Sequence, residues 1–260
     1  MTYCVGLLPQ AGLVMIADTR TNAGIDNISI YRKLHIMEDN EDRLIVIASA
    51  GSLSVTQSML SMLEEGLPPL EEGAVPRKLS GVPTMFRAAQ LVGESVKAAR
   101  RSIGNTLDGT GINAGISLLL GGRIGDGPLH LYLVYGEGNF IECSPDSPFL
   151  QIGELKYGKP ILDRGIEGDT PLDEAVKTAF LSFDSAMRSN LGVARPLDMM
   201  VMRRDPKAPI LTRRIEPDDE YFNELSLRWS ILLHEASRAI PNPPFMAPAK
   251  DDQAETKAAE

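Results

Sequence analysis

Thr2, Asp18, Lys33 and Gly51 are four residues whose types and order could build one nucleophilic site. Methionine ahead of a small residue is removed by cytosolic processing, so Thr2 is expected to become the first residue and to carry a free α-amine. Such an amine titrates at about 7.7–8.0, close to working pH, as an efficient general base must. A hydroxyl and a base on one residue form a minimal nucleophile. That nucleophile needs a cation nearby to keep the amine neutral and to lower the hydroxyl pKa. It also needs a carboxylate to hold the cation and backbone N–H donors for the oxyanion. Asp18 ends the second apolar run, from which it can fold back beside Thr2. Lys33 begins the next run. Ala50-Gly51 stands where strand character gives way to helical spacing, so a glycine N–H there can face a substrate carbonyl beside a helix N-terminus.

Other chemistries lack their residues. The chain has no phosphate-loop signature, no H-E-x-x-H, no paired C-x-x-C and no G-x-S-x-G. His35, His130 and His234 are far apart and read as surface histidines, not ligands; no metal and no cofactor is expected. Gly121-Gly122, with Gly125 and Gly127, leads into a strand instead of a helix and reads as a β-turn, not a phosphate cradle. Met199-Met200-Val201-Met202 reads as buried strand.

The elements that must position the site follow from periodicity. Residues 3–8 and 13–17 are apolar runs around Pro9-Gln10-Ala11-Gly12, a hairpin pattern, and residues 33–37 and 43–49 form a second strand pair. Apolar residues then recur at helical spacing over 51–65, stopped by Gly66 and two prolines. A Pro- and Gly-rich loop over 67–83 leads to an amphipathic helix over 84–102. Strands follow at 111–120, buried on both faces, and at 129–135 and 149–152. Residues 153–160 read as a turn. A helix over 171–189 has Asp173 and Glu174 in its first turn, and strands at 198–203 and 209–213 precede a helix over 218–239. Strands and helices in separate runs imply an α+β layered domain over 1–240, with an acidic, disordered tail over 241–260.

The chain has 260 residues, 43% apolar and 23% charged, which suits an ordinary globular core. Its net charge of −9 argues against a nucleic-acid partner, since Lys97, Arg100 and Arg101 fit the polar face of a helix. Cys4 and Cys143 are expected to be free thiols in a reducing cytoplasm. No signal peptide and no membrane span is expected.

The run Gly12-Leu13-Val14-Met15-Ile16-Ala17-Asp18-Thr19-Arg20, together with Thr2, Gly24, Lys33 and Ala50-Gly51, resembles the catalytic pattern of proteasome β-type subunits. More narrowly, the segments 18–24, 152–161 (Ile-Gly-Glu-Leu-Lys-Tyr-Gly-Lys-Pro-Ile) and 189–193 (Ser-Asn-Leu-Gly-Val) resemble the bacterial Anbu branch, the ancestral β-subunit. The resemblance implies a four-layer αββα sandwich of the N-terminal-nucleophile hydrolase class. It implies threonine-type endopeptidase activity on peptide or protein substrates, and self-association into ring-like or helical homo-oligomers. Thr2 would be the nucleophile, Asp18 and Lys33 would tune it, and Gly51 would donate to the oxyanion. The family supports its terminal amine with a serine in a Gly-Ser-Gly turn and an Asp-x-x-Ser pair. Here Gly153-Glu154 stands at the first, and Asp184 and Ser189, at a different spacing, are the candidates for the second. A specialised amidase or acyl-transfer enzyme of the same class, or a non-catalytic oligomer, are the alternative readings.

Overall fold

A computed structural model describes residues 1–22, 28–107 and 114–246 of the chain. Gly24, the start of the strand expected at 111–120, and the tail from 247 onward lie outside the described residues. The elements in chain order are β1 (Tyr3–Leu7), β2 (Gly12–Asp18), β3 (Arg20–Asn22), β4 (Ile28–Ile30), β5 (Leu34–Asp39), β6 (Arg43–Gly51), α1 (Leu53–Glu65), α2 (Met85–Leu107), β7 (Ile116–Ile124), β8 (His130–Val134), β9 (Phe140–Glu142), β10 (Phe149–Gly153), α3 (Lys159–Gly165), α4 (Leu172–Ser189), β11 (Leu197–Arg203), β12 (Leu211–Ile215) and α5 (Glu220–Ala239).

The strands form two five-stranded antiparallel sheets, ordered β10-β1-β2-β11-β12 and β5-β6-β7-β8-β9, with β3 and β4 paired apart from them. Alternation along each central strand divides the core into three. Tyr3, Val5 and Leu7 of β1 and Val14 and Ile16 of β2 pack under α4 with Phe180 and Phe183. Ile45 and Ile47 of β6 and Leu118 and Leu120 of β7 pack under α1 and α2. The opposite faces of the same strands, Cys4, Leu13, Met15, Val46, Ala48 and Leu119, meet each other between the sheets. Helices therefore cover both outer faces of a sheet pair, and the order is the αββα sandwich expected.

The helix boundaries have local causes. Ser52 caps α1 by accepting from Val55 N at 3.5 Å, and Gly66, at φ 100°, closes it. Asp173 and Glu174 lie in the first turn of α4 and Arg188 in its last, which suits the helix dipole.

Several expectations need correction. Gly121 and Gly122 lie inside β7 and not in a turn; the chain turns at Gly125, whose φ is +60°. A Cβ on Gly121 would stand 2.6 Å from Met15 Sδ and 2.8 Å from Leu13 Cδ2, so a larger residue there must displace side chains packed between the two sheets. Lys159 and Pro160, expected as the end of a turn over 153–160, instead begin the short helix α3, with Pro160 in its first turn. A short strand, β3, stands at Arg20–Asn22 where none was expected, and α2, expected to end at 102, continues to Leu107.

Gly121→Val would place a strand-favouring residue in a strand, yet it should destabilise the protein by about 1–3 kcal/mol, because the added atoms wedge the sheets apart. Thermal unfolding should show a fall of several degrees in Tm. An unchanged or raised Tm would contradict this packing.

Candidate active site

β1 is an inner strand, flanked by β10 and β2, and Thr2 is the residue just before it. The Thr2 carbonyl accepts from Glu154 N at 2.7 Å, and the following amide, Tyr3 N, donates to Asp18 Oδ1 at 2.9 Å. The backbone on the C-terminal side of Thr2 is thereby held from both neighbouring strands. Gly153, at φ +84°, makes the first of these bonds possible; a Cβ there would meet the Thr2 carbonyl oxygen at 2.1 Å.

Asp18 ends β2, where its carboxylate is wholly buried. Lys33 Nζ donates to Asp18 Oδ1 at 2.9 Å and to the Arg20 carbonyl at 2.6 Å. Among the described residues these are its acceptors, and Lys33 lines a cleft with Thr2, Thr21, Ser49, Ala50, Gly51, Leu53 and Thr56. Burial pushes the Asp18 carboxyl up, against the pull of the Lys33 ammonium and of the Tyr3 N–H, and the net direction is upward. Gly51 ends β6 on the exposed rim of the cleft at φ +112°, one residue before the α1 cap. A Cβ there would stand 2.2 Å from the Gly115 carbonyl oxygen.

Thr2, Lys33 and Gly51 thus share one cleft, and Asp18 stands behind Lys33. Asp184 and Ser189 are not brought to it. Asp184 is buried on the face of α4 turned to α5, where it accepts from Ser226 Oγ at 2.7 Å and from Arg188 Nε at 2.9 Å. It joins the two helices, and Ser189 is the exposed last residue of α4. The groups beside Thr2 are Glu154 and Asn190, the C-cap of α4. Asn190 Nδ2 donates to Glu154 Oε2 at 2.7 Å, and Asn190 Oδ1 accepts from Gly192 N at 3.0 Å. Met1 leaves the sheet over this turn, its Cβ 2.6 Å from where a Gly192 Cβ would stand. The sequence signal for Asn190 was a helix-ending Asn followed by Leu-Gly. The histidines lie elsewhere: His130 Nδ1 is 2.6 Å from Glu142 Oε1, across β8 and β9, and His234 is exposed on α5.

Lys33→Met leaves the Asp18 carboxylate buried without its cation and should destabilise the protein by about 3–5 kcal/mol at neutral pH. The folded-state pKa of Asp18, already raised, rises further, so the native state binds a proton that the unfolded chain releases. The deficit should therefore shrink as pH falls from 7 toward the ordinary aspartate value of about 4. Denaturant unfolding at pH 7 and pH 5 checks this; an equal deficit at both would show that Asp18 is not the stranded charge.

No protein-family profile matches the chain, and no curated protein does. Solved structures do. The chain is similar to the Anbu complex of Pseudomonas aeruginosa, solved as a helical assembly, at 42% identity and a TM-score of 0.85 over 93% of this chain and 98% of that one. A mutant of Anbu from Hyphomicrobium sp. strain MC1 matches at 42% identity and a TM-score of 0.83 over 94% and 99%. Anbu from Yersinia bercovieri matches at 40% and 0.82 over 93% and 98%. Near-complete coverage at this identity joins the Thr2 cleft to the sandwich around it: the chain belongs to the Anbu family, the ancestral bacterial β-subunits of the proteasome type.

Proposed function

We propose that the chain is a threonine peptidase that hydrolyses peptide bonds through an acyl-enzyme on Thr2, once Met1 has been removed. The observation that carries this reading is the buried Lys33–Asp18 pair, 2.9 Å long, opening onto the cleft that holds Thr2. An ion pair taken out of water contributes little net stability, so its position beside a hydroxyl points to chemistry.

Thr2 Oγ attacks the scissile carbonyl carbon, and its proton passes to the α-amine of the same residue. Lys33 keeps that amine neutral at rest and lowers the hydroxyl pKa, while Asp18 holds Lys33 in place. The Gly51 N–H, beside the α1 N-terminus, donates to the oxyanion. Collapse of the tetrahedral species breaks the C–N bond, and the α-ammonium protonates the departing amine. Water then attacks the Thr2 ester, giving its proton to the amine, and the released Oγ is reprotonated. The chemistry draws on no cofactor and no metal.

The helical assembly of the Pseudomonas relative supports self-association of this chain as well. Among the described residues no helix is long and apolar enough to cross a membrane, and action on peptides in the cytoplasm is the companion proposal.

A peptide epoxyketone or β-lactone should add one equivalent to Thr2 of the Met-free protein, read by intact and peptide mass spectrometry. Thr2→Ala should reduce labelling and peptide hydrolysis to background while leaving assembly intact. Absence of an adduct, or Met1 retained in the native protein, would remove the catalytic reading in favour of a structural oligomer. Labelling without cleavage of generic peptides would assign the same nucleophile to a specialised amide.

A further inference from the structure

The helix α5 has 20 residues, and only Phe222 and Leu225 among them are buried. Its first half packs on α4, where the Phe222 and Phe180 rings stand 5.5 Å apart. The apolar stripe does not stop there. Phe222, Leu225, Trp229, Leu232 and Ala236 recur at helical spacing, with Leu233 beside them. Yet every residue from Ile231 to Ala239 is exposed, Leu233 by 50%. A short helical segment without tertiary contacts gains little from its own hydrogen bonds. An apolar stripe on such a segment therefore calls for packing against another surface.

A groove runs beside the stripe, lined by Lys177 and Leu181 of α4 and by Tyr221, Leu225, Trp229 and Leu232 of α5. Trp229 and Leu232 belong to both, so groove and uncovered helix end form one continuous strip. The charges along α5 are ordered too. Glu220 stands in its first turn and Arg238 in its last. A second α5 laid antiparallel on the first, with Trp229 at the two-fold axis, sets Glu220 opposite the second copy's Arg238. The same register sets Leu225 opposite the second copy's Leu233. The uncovered end of each helix then lies along the groove of the other, and the helix dipoles run in opposite senses. A parallel pairing would bring like charges together at both ends. An anionic lipid surface is a poor alternative cover for a chain with a net charge of −9.

We propose that α5 is a self-association surface, on which two copies of this chain pair through antiparallel α5 helices about Trp229. The inference rests on the self-association proposed above and is independent of the role given to Thr2. The pairing is isologous and closes on two copies, so any larger assembly of the chain is built from such pairs joined through a different face.

Trp229 is the only tryptophan of the chain, so its fluorescence reports this surface and no other. At micromolar concentration the full chain should sediment as an assembly, with the emission of a buried indole. Leu233→Arg alters a side chain that is exposed in the single chain, which leaves the core untouched. It should lower the sedimenting mass, shift the emission to the red and raise the concentration of half-assembly about tenfold or more. Glu220→Arg should weaken pairing, and adding Arg238→Glu should restore it. Each of these changes opposes the dipole of α5, so the double variant would be the weakest of the three if helix stability were the cause. A wild type that sediments as a single chain at every concentration would overturn both this proposal and the self-association it rests on. Three results would overturn the α5 surface alone: an assembled wild type whose mass and emission Leu233→Arg leaves unchanged, a fall in mass with no change in emission, or a double charge reversal that does not restore pairing.

Discussion

The structure depends on β1 being an inner strand that begins at the third residue. Both its edges are paired, to Phe149–Gly153 on one side and to Gly12–Asp18 on the other, and its residues are fully buried. A chain terminus ordinarily frays, because few contacts hold it. Here the first residues lie between two neighbouring strands, with a layer of side chains above and below. Thr2 is therefore presented from a rigid ladder and not from a mobile end, as the role proposed for its hydroxyl requires.

The second constraint is electrostatic. Asp18 and Lys33 come from different sheets of the sandwich, one from the end of β2 and one from the approach to β5, and they meet in the seam. Coulomb attraction in a low dielectric is strong, but desolvation of two ions is comparably large, and an apolar pair of the same volume would serve stability as well. What an apolar pair could not supply is a cation lining the cleft that also holds Thr2. The bond from Tyr3 N to the same Asp18 oxygen ties the position of that cation to the backbone of β1, next to Thr2.

Much of this was legible from residue types and spacing, and the exceptions have physical causes. The β1–β2 hairpin and the caps of α1 and α4 follow local rules, and they stand where the periodicity put them. Within β6 every residue from Leu44 to Ala50 is buried, because helices cover one face and the other sheet covers the second. Such a run has no polar alternation to show which face meets which layer. α3 has only seven residues, too few for a helical period, and β3 is a polar strand of only three residues. In the cleft, Thr2, Asp18, Lys33 and Gly51 were legible because each sits at the end of a regular strand, or just before one. Asp184 had the right type but lies on the helix face turned to α5, a rotation that spacing alone does not give. Glu154 and Asn190 meet only because a strand end and a helix C-cap converge in space, 36 positions apart in the chain.

Residue 2 also shows how structure and chemistry are divided within one amino acid. Its carbonyl and the amide that follows are bonded to Glu154 and Asp18, so the main chain on that side carries the structural contacts. The strand register starts only at Tyr3, and Met1 is 63% exposed. Removing Met1 therefore breaks no rung of either sheet and opens no cavity in any of the three core layers. Thr2 itself lines the cleft with Lys33 and Gly51, one residue outside the strand register. Placed one residue outside the ladder, Thr2 is tied to the core by its own carbonyl and the amide that follows, so the Met1 removal that the proposed function requires leaves those bonds in place.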